Sequence, residues 1–102
     1  LIVLTWMHLR DDEENRRTLQ VTPRRHHGAP LTGVFACRSP TRPNPIGLSV
    51  VKLRRVEGCR LVVEGLDAFE GSPLIDIKPY SPRGDAFPEA RTPEWALRGP
   101  PT

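Results

Sequence analysis

Only two cysteines occur among the 102 residues, Cys37 and Cys59, and neither has a second cysteine or histidine at metal-ligand spacing. The sequence therefore predicts reduced thiols in a cytoplasmic protein, with no structural metal and no disulfide framework. Aromatic residues make up 6% and hydrophobic residues 37%, so one modest core is the most the chain can build, and a partner chain is expected to share the burial. No apolar stretch reaches membrane-helix length, and no charged-then-apolar leader precedes a small-residue cleavage site. There is no G-x-G, no G-x-S-x-G and no phosphate-binding glycine loop, which excludes the glycine-rich nucleotide folds and the nucleophile-elbow hydrolases as far as motifs can.

Proline and arginine are what the sequence has in quantity. Twelve prolines and eight glycines argue against long helices. The net charge is only +3, but all the basic residues except Lys52 and Lys78 are arginines. Guanidinium groups bind phosphate and carboxylate through two parallel donors, so this bias favours an anionic partner such as nucleic acid; arginine-rich codon usage explains the bias equally well.

In chain order, the uninterrupted apolar run Leu1–Met7 reads as a fully buried strand ending at His8. A domain that opens in mid-strand predicts a chain shortened at its N-terminus. The acidic run Asp11–Glu14 before Arg16 and Arg17 reads as a solvated loop or short helical turn. From Leu19 to Thr32 the chain is polar and irregular. Its adjacent His26 and His27 would point to opposite faces of an extended segment, so a basic loop near RNA phosphates fits better than a metal site. Ile46–Val56 reads as one long strand, turned at Glu57-Gly58 into Arg60–Leu66. Leu74–Lys78 is a last strand stopped by Pro79. From Pro79 onward prolines recur in an extended tail that only Trp95-Ala96-Leu97 can anchor. The prediction is a single all-β domain of about five strands over residues 1–80, with a tail over 81–102.

The stretch Gly33–Ser49, GVFACRSPTRPNPIGLS, stands at the centre of this plan. Gly33–Cys37 reads as a short buried strand that delivers the chain into a loop carrying Arg38 and Arg42 among Pro40, Pro43 and Pro45. Each proline fixes its own φ and pushes the preceding residue toward extended conformations, so the loop is stiff and cationic. A stiff loop loses little entropy on ordering and suits a site that presents guanidinium groups in fixed positions.

RSPTRPNPIGLS followed by GSPLIDIKPY resembles the TsaA-like (TrmO) family, S-adenosylmethionine-dependent tRNA methyltransferases built on a β-barrel, over roughly Leu1 to Tyr80. The resemblance implies a small barrel-like domain and methylation of the exocyclic nitrogen of threonylcarbamoyl-adenosine beside the tRNA anticodon, and a chain without the family's first strands is expected to pair as a homodimer. It implies that S-adenosylmethionine is held by His8 and Leu9, by Arg38 and Leu48 flanking the proline loop, and by Glu64, Gly65, Leu66 and Asp67. The acceptor nitrogen belongs to a urea-like group and is a poor nucleophile until it loses its proton, so a base or an anion-stabilising group is wanted. Asp76, Lys78 and Tyr80 of DIKPY are the candidates, with Asp67 as another carboxylate. Asp76 and Lys78 share one face of a strand and can instead pair as a salt bridge. Arg42 and Asn44 are the expected substrate contacts, and Tyr80 can stack on a base of the anticodon loop. Two other readings stay open for these residues: a non-catalytic module that binds S-adenosylmethionine or RNA, and a methyltransferase for another small acceptor.

Overall fold

A computed structural model describes residues 1–100, and the last two positions of the predicted tail, Pro101 and Thr102, lie outside the described residues. The chain packs as two compact units, one built from Leu1–Leu9 and Ile46–Ala86, the other from Arg10–Pro45 and the chain from Phe87 on.

The first unit is a product of strand alternation. Strand β1 (Ile2–Trp6) is the centre of a three-stranded antiparallel sheet, flanked by β4 (Ile46–Val50) and β7 (Leu74–Lys78). Leu4 faces Leu48 on one side and Asp76 on the other, so these three share a face; Val3 faces Ser49 and Ile77 on the opposite face. That second face is the covered one, with Val3, Thr5 and Ser49 all buried. The expected fully buried first strand is therefore corrected: Ile2, Leu4 and Trp6 are only half-buried, because one face of this sheet is covered and successive side chains alternate between faces.

The long strand expected over Ile46–Val56 is also corrected. It breaks at Val51, where the Leu1 ammonium donates to the Val51 carbonyl at 3.0 Å and the Val51 N–H returns a bond to Leu1. Beyond that point the chain leaves the sheet as β5 (Lys52–Glu57) and pairs with β6 (Arg60–Glu64) as a separate hairpin. Gly58 turns that hairpin at φ +58°, a backbone region that costs a β-carbon and suits glycine. Among the described residues the strands form three sheets of three, two and two strands, and these do not close into a barrel. The all-β class stands, with seven strands among the described residues where about five were expected.

In the second unit regular structure is short. Helix α1 (Glu13–Arg17) is started by Asp12, whose carboxylate accepts from the Asn15 N–H at 2.8 Å; acidic residues fill its first turn and arginines its last, as the helix dipole prefers. Strands β2 (Gln20–Val21) and β3 (Thr32–Gly33) pair in an otherwise irregular region. The buried strand expected over Gly33–Cys37 is corrected to Thr32–Gly33 followed by a 3-10 turn over Val34–Ala36. Val34 is buried and donates its N–H to Leu19, whereas the turn swings Phe35 out to solvent. The tail is not uniformly extended: it forms the short helix α2 (Pro82–Asp85), within the first unit, and a 3-10 turn at Glu94–Leu97, within the second. His26 is buried, its ring 5.5 Å from Trp95 and its Nδ1 bonded to the Arg98 carbonyl, while Arg98 donates to the His27 carbonyl at 2.9 Å.

Candidate functional site

In the second unit the proline loop is held from two directions. Helix α1 faces its far arm: Arg16 Nε donates to the Pro43 carbonyl at 2.7 Å and Arg16 Nη2 to Asn44 Oδ1 at 3.3 Å, while the Thr41 hydroxyl donates to Asn15 Oδ1 at 2.7 Å. Pro45 is fully buried beneath it. Asn15 and Arg16 were not singled out from the sequence, because twenty-six or more residues separate them from their partners and no local pattern announces such bonds. The near arm carries the two arginines, and they differ. Arg42 is half-buried; its Nη1 donates to the carbonyls of Cys37 (3.2 Å) and Ser39 (3.0 Å), and its guanidinium lies 6.0 Å from the centre of the Phe35 ring. Arg38 is exposed and has no hydrogen-bond or ion-pair partner among the described residues.

In the first unit, the end of β4 and the loop after β6 come together. Ser49 Oγ accepts from the Asp67 N–H at 3.1 Å, and Gly65, at φ +92°, brings its α-carbon against strand β4, where a β-carbon would lie 3.5 Å from the Val50 carbonyl. Glu64 is tied to Arg54 across the hairpin. Leu66 lines an apolar cleft of about 290 Å³ with Leu1, Val3, Leu61, Val63 and Ile77. His8 and Leu9 lie exposed in a 3-10 turn just beyond β1.

Asp76 and Lys78 project from one face of β7 and meet as an exposed ion pair at 3.4 Å, the arrangement that the period of two allows. Asp76 Oδ1 also accepts from the Ile77 N–H at 2.8 Å. Leu48 stands two strands across from Asp76 in the same row, with Leu4 between them. Tyr80 follows the strand and is exposed. Of the thirteen residues singled out from the sequence, Arg38, Arg42 and Asn44 fall in the second unit and the rest in the first.

The Asn15 N–H, and then the Asn15 side-chain amide, hold the Asp12 carboxyl below its ordinary 3.8. His26 and His27 diverge, one ring buried and the other exposed. Among the described residues no three His, Cys, Asp or Glu side chains gather where a metal ion could sit, and no helix is long and apolar enough to cross a membrane.

Residues 1–86 match the profile of a family described as the tRNA-methyltransferase O N-terminal domain. A protein of Methanocaldococcus jannaschii named as a probable S-adenosyl-L-methionine-binding protein is 46% identical over 83% of this chain and 68% of its own length. An S-adenosyl-L-methionine-binding protein of Archaeoglobus fulgidus is 52% identical over 83% of the chain and 57% of its own length. A tRNA (adenine(37)-N6)-methyltransferase of Eikenella corrodens is 52% identical over 69% of the chain and 42% of its own length. The chain thus spans between two fifths and two thirds of these relatives.

Proposed function

The chain belongs to the tRNA-methyltransferase O N-terminal domain family, and from that premise we propose that it binds S-adenosylmethionine and serves methyl transfer to an adenosine of tRNA. The observation that carries this reading is Arg38: an exposed guanidinium on a proline-stiffened, doubly anchored loop, with no carboxylate of its own among the described residues. A cation left unpaired on a rigid support suits an external anion, here the methionine carboxylate of the cofactor.

The first unit, taken by itself, carries groups of the kind that the adenosine part of that molecule needs. A purine needs an apolar slot with a few backbone partners, and the Leu66 cleft offers one beside the Gly65 backbone. The Asp67 carboxylate can accept from a ribose hydroxyl, with its backbone fixed by Ser49. Leu48 is exposed on the other face of the sheet from this cleft, and His8 and Leu9 are exposed just beyond β1. When bound, S-adenosylmethionine supplies an electrophilic methyl group on a sulfonium.

The chain's own part is to ready the acceptor. In the finer reading the acceptor is the exocyclic nitrogen of threonylcarbamoyl-adenosine beside the anticodon. An Asp76 carboxylate oxygen takes the proton from that nitrogen, and Lys78, 3.4 Å away, steadies the negative charge that develops there. Tyr80 offers an aromatic face to an unstacked base, and Asn44 at the edge of the proline loop offers a polar contact to the substrate.

Isothermal titration with S-adenosylmethionine tests the cofactor half. Removing a charged hydrogen-bonding partner in Arg38→Ala should weaken binding by about tenfold to a hundredfold. Equal affinity of the folded wild type and variant would refute the Arg38 assignment. Methyl transfer to tRNA, followed by the mass of the nucleosides, tests the other half: turnover lost in Asp76→Asn with cofactor affinity unchanged is the expected result, and unaltered turnover would remove Asp76 as the base.

A further inference from the structure

The two carbonyls that Arg42 holds belong to the residues on either side of Arg38. One guanidinium nitrogen therefore ties together the carbonyls of the residues before and after the exposed arginine. Arg42 is itself confined. Its neighbours Thr41 and Pro43 are pinned by Asn15 and Arg16 of α1, Thr41 takes a second bond from Arg10 at 3.4 Å, and Phe35 covers its guanidinium. Arg16 is in turn paired with Asp11 at 3.2 Å.

We infer that Arg42 is a positioning residue that acts through Arg38: it clamps the backbone on both sides of Arg38 so that this arginine is presented to a carboxylate ligand, with α1 as the brace that holds Arg42 in place. The inference rests on the reading of Arg38 as the cofactor's carboxylate partner. It gives Arg42 a different role from a contact to the tRNA phosphates. A half-buried guanidinium whose donor is shared by two loop carbonyls would leave both carbonyls unpaired if it turned outward to a phosphate, and leaving such groups without partners is costly.

A double-substitution cycle read by titration with S-adenosylmethionine distinguishes a residue that acts through Arg38 from one that merely supports the fold. Arg42→Ala alone should weaken the cofactor about tenfold. In the Arg38→Ala background the same change should cost less than about twofold, because there is no presented arginine left to misplace. Arg42→Lys, which keeps the charge but offers a flexible point donor in place of the planar fork, should fall between wild type and alanine. Fully additive losses would overturn the inference, as would an Arg42→Ala effect confined to the KM for tRNA.

Hydrogen exchange in the unliganded chain gives a second readout. The Thr41 amide, which donates to Ser39 Oγ at 3.1 Å, should lose protection in Arg42→Ala while amides of β1 keep theirs. Unchanged exchange at Thr41 would dismiss the clamp. If the folded wild type takes up no S-adenosylmethionine, the cofactor reading falls and the presenting role falls with it. The exchange result then decides by itself whether the clamp exists.

Discussion

The first unit is held by ladders and the second by individual side chains, and the two respond differently to change. In the unit that contains β1, β4 and β7, the backbone bonds run in register and the side chains sort by alternation, and its ion pairs, such as Arg54 with Glu64 and Lys78 with Asp76, are exposed. In the unit that contains the proline loop, the two-residue strands β2 and β3 supply little. Order there comes from long-range bonds of single side chains: Arg16 to Pro43, Thr41 to Asn15, His26 to Arg98 and Arg98 to His27. A ladder distributes its stabilisation over many equivalent bonds, whereas a side-chain anchor concentrates it in one. Charge removal should therefore hardly affect the first unit, and loss of one polar side chain should be felt in the second.

The sharpest way to break the first unit is through its backbone. Val3 lies in the central strand, where both neighbours pair with it, and it is buried. In Val3→Pro a ladder bond is lost and the ring is forced into a covered face, so a destabilisation above about 3 kcal/mol is expected. Urea unfolding followed by far-ultraviolet circular dichroism should show the cooperative transition move to much lower urea or vanish; a midpoint close to wild type would mean that the ladder is not what holds this unit.

In the second unit the corresponding test is a side chain. His26→Ala removes a buried ring from beside Trp95 and leaves the Arg98 carbonyl without its partner. The loss should be about 2 kcal/mol. Trp95 fluorescence should shift toward that of an indole in water as the 3-10 turn at Glu94–Leu97 comes away. Retention of the wild-type spectrum would show that the tail does not depend on this histidine.

The same contrast explains what could be read from the sequence. Leu74–Lys78 was legible to the residue, since Pro79 marks its end and its apolar residues are bounded by turn signals. The β5–β6 hairpin was legible from Gly58. What the alternation cannot encode is which sheet a strand joins. Ile46–Val56 has one continuous pattern, yet Val51 pairs with Leu1 and the remainder pairs with β6. In the side-chain unit less was legible. The four apolar residues after Gly33 fit a strand and a 3-10 turn equally well, and the outcome depended on Cys37 and Arg42 folding back on the Gly33, Cys37 and Ser39 carbonyls. The candidate residues could be singled out because motifs lie in the sequence. Their different surroundings, Arg38 exposed and Arg42 turned onto carbonyls, arise from contacts that form only on folding.

Charge removal in the first unit should do little. Arg54→Ala deletes the partner of Glu64 on an exposed hairpin face, with side chains about half accessible. The expected cost is under about 1 kcal/mol, and lower still in high salt. A loss above about 2 kcal/mol in the urea midpoint analysis would contradict the division between ladder and anchor, because an exposed pair would then be acting like a buried one.

The smallest effect should come from acid, and it should be found in the second unit. Asp12 accepts from both the Asn15 N–H (2.8 Å) and the Asn15 amide (2.7 Å), which stabilises the charged form and holds its carboxyl below the ordinary 3.8. A depressed carboxyl contributes stability that is present in full above its unfolded pKa and is lost as pH falls through the folded one, so the window lies below about pH 4. Protonation there weakens the cap of α1 and frees Asn15 to turn, and Asn15 Oδ1 is the acceptor for the Thr41 hydroxyl of the proline loop. The Thr41 and Asn15 amide resonances should therefore move together between pH 5 and pH 2. In Asp12→Ala they should already sit near their acid positions at pH 5 and show no further coupled shift. Asp12 is fully exposed, so the movement should be local and leave the β1 amides where they were. If Thr41 is indifferent to the protonation of Asp12, α1 does not transmit its cap to the loop, and what α1 contributes to the loop is the bonds of Arg16.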